Sequence, residues 1–164
     1  MQLYLLRHAI AVAQGTPGYP TDDRPLTEDG IKKMKKAAAG LKQCIDEIGL
    51  IISSPLKRAY HTAQIAAEAL DYGGTIQKSK NLLPGANVNL IIQELTSRAH
   101  LKDVMLVGHN PHMERLGAML IGAQSGAMLM RKGGICRIDI SFTPKLRHGT
   151  LIWHLTPKQL RTFA

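Results

Sequence analysis

The stretch QLYLLRH, residues 2–8, is a short apolar run that ends abruptly in an arginine and a histidine. An apolar run of this length predicts a buried strand, which we place at residues 2–6. Similar runs at residues 50–53 and 103–107 predict two further strands, and polar residues and a proline follow each of them. The chain is therefore expected to build a sheet whose strands end in functional side chains.

Helical patterns lie between these strands. Thr27 is a suitable N-cap for a first helix, because acidic residues follow it and apolar residues then recur at helical spacing as far as Ile48. A Ser-Pro pair at residues 54–55 predicts the start of a second helix that runs to about Tyr72. The rest of the pattern predicts a strand at residues 75–78, a helix at 88–98, a helix opening at Asn110-Pro111, and strands at 135–142 and 150–155.

The predicted order of elements is βαβαβαβαββ. Strands that alternate with helices form an α/β fold with a mostly parallel sheet. We expect one three-layer domain spanning residues 1–164, in which a sheet of about six strands carries helices on both faces. The long connection at residues 122–134 is expected to cover the ligand site.

The composition is that of a globular protein. The chain has 164 residues, of which 45% are hydrophobic and 20% charged, and its mean hydropathy is −0.07. No apolar run approaches the ~20 residues of a membrane span, and the N-terminal segment reaches a charged residue too early for a signal peptide. Cys44 and Cys136 are too few for a disulfide framework, so we expect a cytoplasmic protein without membrane contact.

The charge is strongly basic and unevenly distributed. There are 21 lysines and arginines against 12 acidic residues, and residues 102–164 carry 9 basic and 3 acidic residues. Such a surface attracts acidic proteins, phosphorylated substrates or nucleic acid, or it is simply a solvated basic face. Aromatic and basic residues do not alternate as they do in RNA-binding strands, so no nucleic-acid partner is expected.

Two arginines and two histidines follow the predicted strand ends. Arg7 and His8 end the first strand, Arg58 lies just beyond the second, and His109 follows the fourth. Ligands of open α/β sheets bind beyond the carboxyl ends of the strands, where helix N-termini also favour anions. Arginine offers a fork of donors that matches phosphate oxygens, and imidazole can act as a nucleophile. The sequence thus predicts phosphoryl chemistry at one edge of the sheet.

This chemistry is expected to need no metal and no other cofactor. The chain has no Walker A sequence and no carboxylate pair arranged for Mg²⁺, so a side chain must attack phosphorus. His61 and His112 lie near the motifs but lack the glutamate of an HExxH pattern, and we expect solvated histidines there. Arg24 has two open interpretations, since it could reach the phosphate or pair with Asp22 or Asp23.

Several motifs in this order resemble those of a known family. They are Leu6-Arg7-His8-Ala9, Arg24-Pro25-Leu26-Thr27 with Gly30, Ser53-Ser54-Pro55 with Arg58-Ala59 and Thr62-Ala63, and Val107-Gly108-His109. The first resembles the Arg-His-Gly signature of the histidine phosphatase (phosphoglycerate-mutase-like) superfamily, with Ala9 in place of the usual glycine. The short chain and its Gly-His-Asn-Pro sequence are most similar to the small SixA-type phosphohistidine phosphatases.

The resemblance implies a role for each of the four side chains. His8 would be the nucleophile that forms a covalent phosphohistidine, while Arg7, Arg58 and His109 would hold the phosphoryl oxygens, with Arg24 a further substrate-binding candidate. The implied function is a metal-independent phosphohistidine protein phosphatase whose partner is a phosphorylated protein. Two alternatives stay open: a small-metabolite or sugar-phosphate phosphatase of the same superfamily, and a non-catalytic module that binds a phosphoprotein.

One departure from the family pattern concerns the general acid. Many members of the superfamily carry a glutamate or aspartate after the third strand, which protonates the leaving oxygen. The corresponding stretch here is LLPGAN, residues 82–87, and it contains no carboxylate. Glu94 lies further on, inside a predicted helix, and we do not expect it to serve.

Overall fold

Six strands form one sheet in the order β3-β2-β4-β1-β5-β6. The structure is a computed structural model that describes residues 1–140 and 148–164. Its strands are β1 (Gln2–Arg7), β2 (Leu50–Ser53), β3 (Gln77–Lys78), β4 (Asp103–Gly108), β5 (Ile135–Ile140) and β6 (Gly149–Leu155). The strands β1 to β4 are parallel, whereas β5 runs antiparallel to both β1 and β6. The predicted mostly parallel sheet is confirmed; the predicted extension of β5 to Phe142 lies outside the described residues.

Helices cover both faces of this sheet, as predicted. They are α1 (Glu28–Leu41), α2 (Lys57–Ala69), α3 (Val88–Thr96), α4 (His112–Leu120) and α5 (Pro157–Leu160). One buried cluster packs α1, α2 and α5 against the sheet, and a second packs α3 and α4 against the opposite face. Side chains alternate along β1, so that Tyr4 and Leu6 enter the first cluster while Leu3 and Leu5 enter the second.

The first helix is shorter than its apolar spacing predicts. Thr27 caps it by accepting a hydrogen bond from Gly30, but the helix ends at Leu41 and not near Ile48. Beyond that point the chain makes tight turns, in which Cys44 donates to the carbonyl of Leu41. Ile48 is still buried in the same cluster, so the apolar pattern continues although the helix does not.

The helices at the Ser-Pro and Asn-Pro pairs begin later than predicted, by two residues for α2 and by one residue for α4. The N-cap of α2 is Leu56, two residues after Ser54, and the N-cap of α4 is Pro111. Ser54 still follows the strand, since its backbone N–H donates to the carbonyl of Val107. The side chain of Ser54 contributes to the candidate active site.

The sequence pattern did not predict α5. Thr156 and Gln159 form a capping box at its start, and its Leu160 lies against α1 at Gly40. A Cβ atom on Gly40 would lie 2.0 Å from the carbonyl oxygen of Leu160, so only glycine allows this approach. Within residues 1–140 and 148–164, no helix has the length and apolar character needed to cross a membrane.

Candidate active site

The carboxyl ends of β1, β2 and β4 border one open cavity of about 580 Å³. The four side chains singled out at the strand ends all line it, although they come from widely separated positions in the chain. Its described lining consists of Arg7, His8, Ala11, Ala13, Gln14, Asp22, Arg24, Arg58, Pro84, His109, Asn110 and Lys132. The topology therefore brings the predicted site residues together at the expected edge of the sheet.

His8 is buried and held in one orientation. Its Nδ1 atom lies 2.7 Å from the carbonyl oxygen of Ala9. Because a carbonyl can only accept a hydrogen bond, Nδ1 carries the proton and Nε2 keeps its lone pair. Burial lowers the pKa of His8 to about 4 against the opposing effect of this hydrogen bond, and the charges of Arg58, Arg7 and Lys132 lower it further. His8 is thus a neutral imidazole with a free Nε2 at neutral pH.

His109 faces His8 across the cavity. The two ring centroids lie 5.0 Å apart, and the Nε2 atom of His109 is 2.8 Å from the hydroxyl oxygen of Ser54. Burial lowers the pKa of His109 to about 3, and the nearby His8 and Arg58 act in the same direction. Its Nδ1 atom is buried and finds no hydrogen-bond partner among the described residues.

The carboxylate of Asp22 links two arginines that line the cavity, Arg24 and Arg58. Its carboxylate accepts hydrogen bonds from Arg58 and Arg24, each at 3.0 Å, and its backbone carbonyl accepts a further hydrogen bond from Arg58. Burial opposes ionisation of Asp22, but the hydrogen bonds and charges of the two arginines prevail and hold the pKa of that carboxyl below its usual range. Arg24 therefore lines the cavity and pairs with Asp22 at the same time.

The Arg7 side chain is held in place by a network of hydrogen bonds. Its Nη1 atom donates to the carbonyl oxygen of Met130 at 2.6 Å, and the backbone N–H of Met130 donates to Glu114 at 2.8 Å. The side chain of Asn110 donates both to Glu114 and to the same carbonyl of Met130. This network fixes the Arg7 guanidinium beside His8, and burial lowers the pKa of Arg7.

The N-terminus of α2 is occupied by a side chain of the protein. The carboxylate of Asp23 accepts a hydrogen bond from the backbone N–H of Lys57, the first residue of the helix, at 2.8 Å. We expected the helix start to offer unpaired N–H groups to an anionic ligand, and for this N–H the expectation is wrong. Asp23 instead fastens the loop that carries Asp22 onto the helix that carries Arg58.

The expectation of a solvated His112 is also wrong. Its side chain is only 2% exposed, and its Nδ1 atom lies 3.0 Å from the carbonyl oxygen of Ala86. It lies at the start of α4 and holds the 82–87 loop, whose Pro84 lines the cavity. Across the described ranges, no group of three or more histidine, cysteine or acidic side chains could hold a metal ion.

Two further predictions concern Glu94 and the connection at residues 122–134. Glu94 accepts hydrogen bonds from Ser79 and Asn81 and is not among the described residues that line the cavity. The 122–134 connection reaches the cavity at its end, where Lys132 lines the wall. It therefore borders the cavity at one point, whereas we expected it to cover the site.

Several contributors could not be read from the sequence. Ser54 was interpreted only as a helix cap, Asp22 only as a partner for Arg24, and Lys132 and Glu114 carried no motif. Ser54, Asp22 and Glu114 act through contacts between segments that are distant in sequence, such as the hydrogen bond between Ser54 and His109, which lie 55 residues apart. A periodicity or capping signal reports on local neighbours and does not contain this information.

Comparison with known proteins agrees with this fold. Residues 3–83 match the histidine phosphatase superfamily (branch 1). An uncharacterized protein of Picosynechococcus is 34% identical over 139 residues, covering 82% of each chain. The phosphohistidine phosphatase SixA of Escherichia coli K12 is 25% identical over 98% of this chain and 97% of its own. The chain belongs to the histidine phosphatase superfamily and is similar to SixA.

Solved structures share the whole fold. The protein histidine phosphatase SixA complexed with tungstate superposes with a TM-score of 0.85 at 24% identity, covering 98% of this chain and 99% of that one. The alpha-ribazole phosphatase of Shigella flexneri superposes with a TM-score of 0.77 at 20% identity, covering 96% and 97% of the two chains. The same fold therefore occurs in phosphatases that are named for different substrates.

The burial of His8 predicts an unusual titration in solution. Because its pKa lies near 4, the imidazole should stay neutral as the pH falls from 8 through 6.5 to 5.5. The ring proton resonance, assigned by its loss in His8→Gln, should shift little over that range in NMR spectra of the free protein. A titration midpoint near 6.5 would show that the ring is solvated and contradict this geometry.

Proposed function

We propose that the protein is a phosphohistidine protein phosphatase that works through a covalent intermediate on His8. The observation that carries the proposal is the hydrogen bond from Nδ1 of His8 to the carbonyl of Ala9. It leaves a neutral nucleophilic nitrogen in a cavity whose lining includes three arginines and a lysine. A neutral histidine among arginines is suited to attack the phosphorus of an anionic substrate.

Arg7, Arg58 and His109 are proposed to hold the phosphoryl oxygens. Phosphoryl transfer spreads negative charge over the equatorial oxygens, so fixed donors that need no rearrangement lower its barrier. Arg7 is held by Met130 and Arg58 by Asp22, which fixes both guanidinium groups before substrate arrives. Arg24 is proposed as a further substrate contact, held by the same Asp22 carboxylate.

The reaction has two displacements. In the first, a bond forms between Nε2 of His8 and phosphorus while the phosphorus–nitrogen bond of the substrate histidine breaks, and the released imidazole takes its proton from solvent. In the second, water attacks the phosphorus on His8, the phosphorus–nitrogen bond breaks, and inorganic phosphate leaves. Neither displacement uses a metal ion or another cofactor.

The lack of an acid favours phosphohistidine over phosphate esters. Asp22 is the one carboxylate among the described residues that line the cavity, and its arginine partners keep it ionised. An ester must expel a strongly basic alkoxide, for which a positioned acid contributes ~10² to 10⁴-fold. Phosphohistidine expels an imidazole whose conjugate acid has a pKa of about 6.5, so solvent can protonate it.

A small-metabolite phosphatase is the second candidate function. The open cavity of about 580 Å³ has room for a sugar phosphate or a similar molecule, and the fold is shared with an alpha-ribazole phosphatase. A non-catalytic phosphoprotein-binding module is less well supported, because binding alone does not need a neutral nucleophile. A cytoplasmic location is proposed as well, since Cys44 and Cys136 are both free thiols.

A substrate panel separates these functions. With a chelator present, a phosphohistidine protein should be hydrolysed much faster than phosphoserine or sugar phosphates, with p-nitrophenyl phosphate in between because its leaving group is activated. The measurement is kcat/KM for each substrate with the same enzyme preparation. A sugar phosphate that exceeded phosphohistidine would instead support the metabolite phosphatase.

Ser54 is expected to set the tautomer of His109. The backbone N–H of Leu56 donates to the Ser54 hydroxyl oxygen and does not use the hydroxyl proton, and we propose that this proton is donated to Nε2 of His109, 2.8 Å away. Nδ1 of His109 then carries the proton that a phosphoryl oxygen would accept. Ser54→Ala should lower kcat/KM about tenfold, the effect of losing one good hydrogen bond.

Ser53→Ala is the matched control for this variant. Ser53 is equally buried, but its hydroxyl donates to the carbonyl of Ser54, and among the described residues it forms no hydrogen bond with His109. Nitrogen NMR shifts should report mixed tautomers for His109 in Ser54→Ala and a single tautomer in Ser53→Ala. Unchanged activity in Ser54→Ala would separate the serine from the site.

A further inference from the structure

A second, much smaller cleft lies beside the candidate active site. Its volume is about 40 Å³, and three cationic side chains, Lys33, Lys132 and Arg161, contribute to its lining. We call it the Arg161 cleft. Lys132 lines both this cleft and the larger cavity, so the two are neighbours that share one residue.

The position of the Arg161 cleft relative to His8 is fixed by backbone contacts. The N–H of Gly133 donates to the carbonyls of Arg7 and His8, with distances of 3.1 Å to each oxygen. Gly30 of α1, which also lines the cleft, approaches Ile10 so closely that an added Cβ would lie 2.1 Å from the carbonyl oxygen of Ile10. The cleft is therefore held at a constant offset from the nucleophile.

The positive charge of this cleft is largely available to a ligand. Lys132 and Arg161 form no ion pair within the part of the chain that the structure describes. Lys33 pairs with Asp29 at 2.7 Å, but both side chains are more than half exposed, so this pair is weak. By contrast, Arg24 and Arg58 in the active-site cavity already have a carboxylate partner in Asp22.

The size of the cleft limits what it can hold. A volume of about 40 Å³ is roughly three times the ~10 to 15 Å³ that one water molecule needs, so the cleft accepts a group of only a few heavy atoms. A carboxylate meets this limit and matches a lining with three cationic side chains, whereas a nucleobase or a sugar ring is too large. The net charge of +9 further favours an acidic partner.

We propose that the Arg161 cleft binds an aspartate or glutamate of the phosphoprotein substrate, next to its phosphohistidine. This inference rests on the proposed function. The phosphoryl group would enter the larger cavity while the carboxylate enters the cleft, and Lys132 would lie between the two anions. A protein surface supplies both groups at a set distance, which a single small metabolite inside the larger cavity does not.

Arg161→Gln and Lys33→Gln test the cleft, because neither residue is among those that line the active-site cavity. Each should raise KM for a phosphohistidine protein with an acidic surface by about three- to tenfold and leave its kcat unchanged. The kcat/KM for p-nitrophenyl phosphate should stay within about twofold of wild type. Added salt should weaken the protein reaction less in the variants than in the wild type.

Two control variants make the test specific. Lys158→Gln removes one positive charge from α5, the short helix that Arg161 follows directly, but Lys158 is exposed and does not line the cleft. It should leave KM for the phosphoprotein within about twofold of wild type. Arg161→Lys keeps the charge and should recover most of the lost affinity, which also separates a binding defect from misfolding.

Other results would overturn either the inference about the Arg161 cleft or the proposed function. An unchanged KM in Arg161→Gln, an equal rise in Lys158→Gln, or an equal loss toward p-nitrophenyl phosphate would overturn the inference while leaving the proposed function intact. If the wild-type enzyme hydrolysed p-nitrophenyl phosphate but not the phosphohistidine protein, the proposed function would be contradicted. The inference about the Arg161 cleft would then fail as well, because it rests on that function.

Discussion

The hydrogen bond from Nδ1 of His8 to the carbonyl of Ala9 is the contact on which the site depends. Without it, the ring could rotate or exchange tautomers, and the surrounding cations would have no nucleophile to serve. The contact requires the chain to leave β1 at a fixed point. That point is set by pairing on both sides, because β1 lies between β4 and β5 and Gly133 donates to the carbonyls of Arg7 and His8.

Burial and charge act together on the two histidines. Removal from water holds the pKa of His8 near 4 and that of His109 near 3, so both rings stay neutral among positive neighbours. The arginines remain charged and are fixed by protein acceptors, Met130 for Arg7 and Asp22 for Arg58. The result is a cationic cavity with neutral imidazoles, which suits attack on a phosphoryl group.

Much of the fold could be predicted from local sequence signals, and much of the site could not. Apolar runs located the strands. Because the carboxyl ends of parallel strands lie at the same edge of the sheet, these runs also predicted the clustering of Arg7, His8, Arg58 and His109. The end of α1 was missed because apolar spacing continues through turns as far as Ile48. The contacts of Ser54, Asp22 and His112 were missed because each joins segments distant in sequence, where local patterns carry no signal.

Locating the phosphoryl group on the enzyme during turnover tests most directly whether His8 is the nucleophile. Enzyme mixed briefly with a radiolabelled phosphohistidine protein and quenched in alkali should carry an acid-labile, alkali-stable label, which mass spectrometry should assign to His8. The His8→Ala variant should keep its fold, show no turnover and carry no label. Label on another residue, or on His8→Ala, would contradict the central claim.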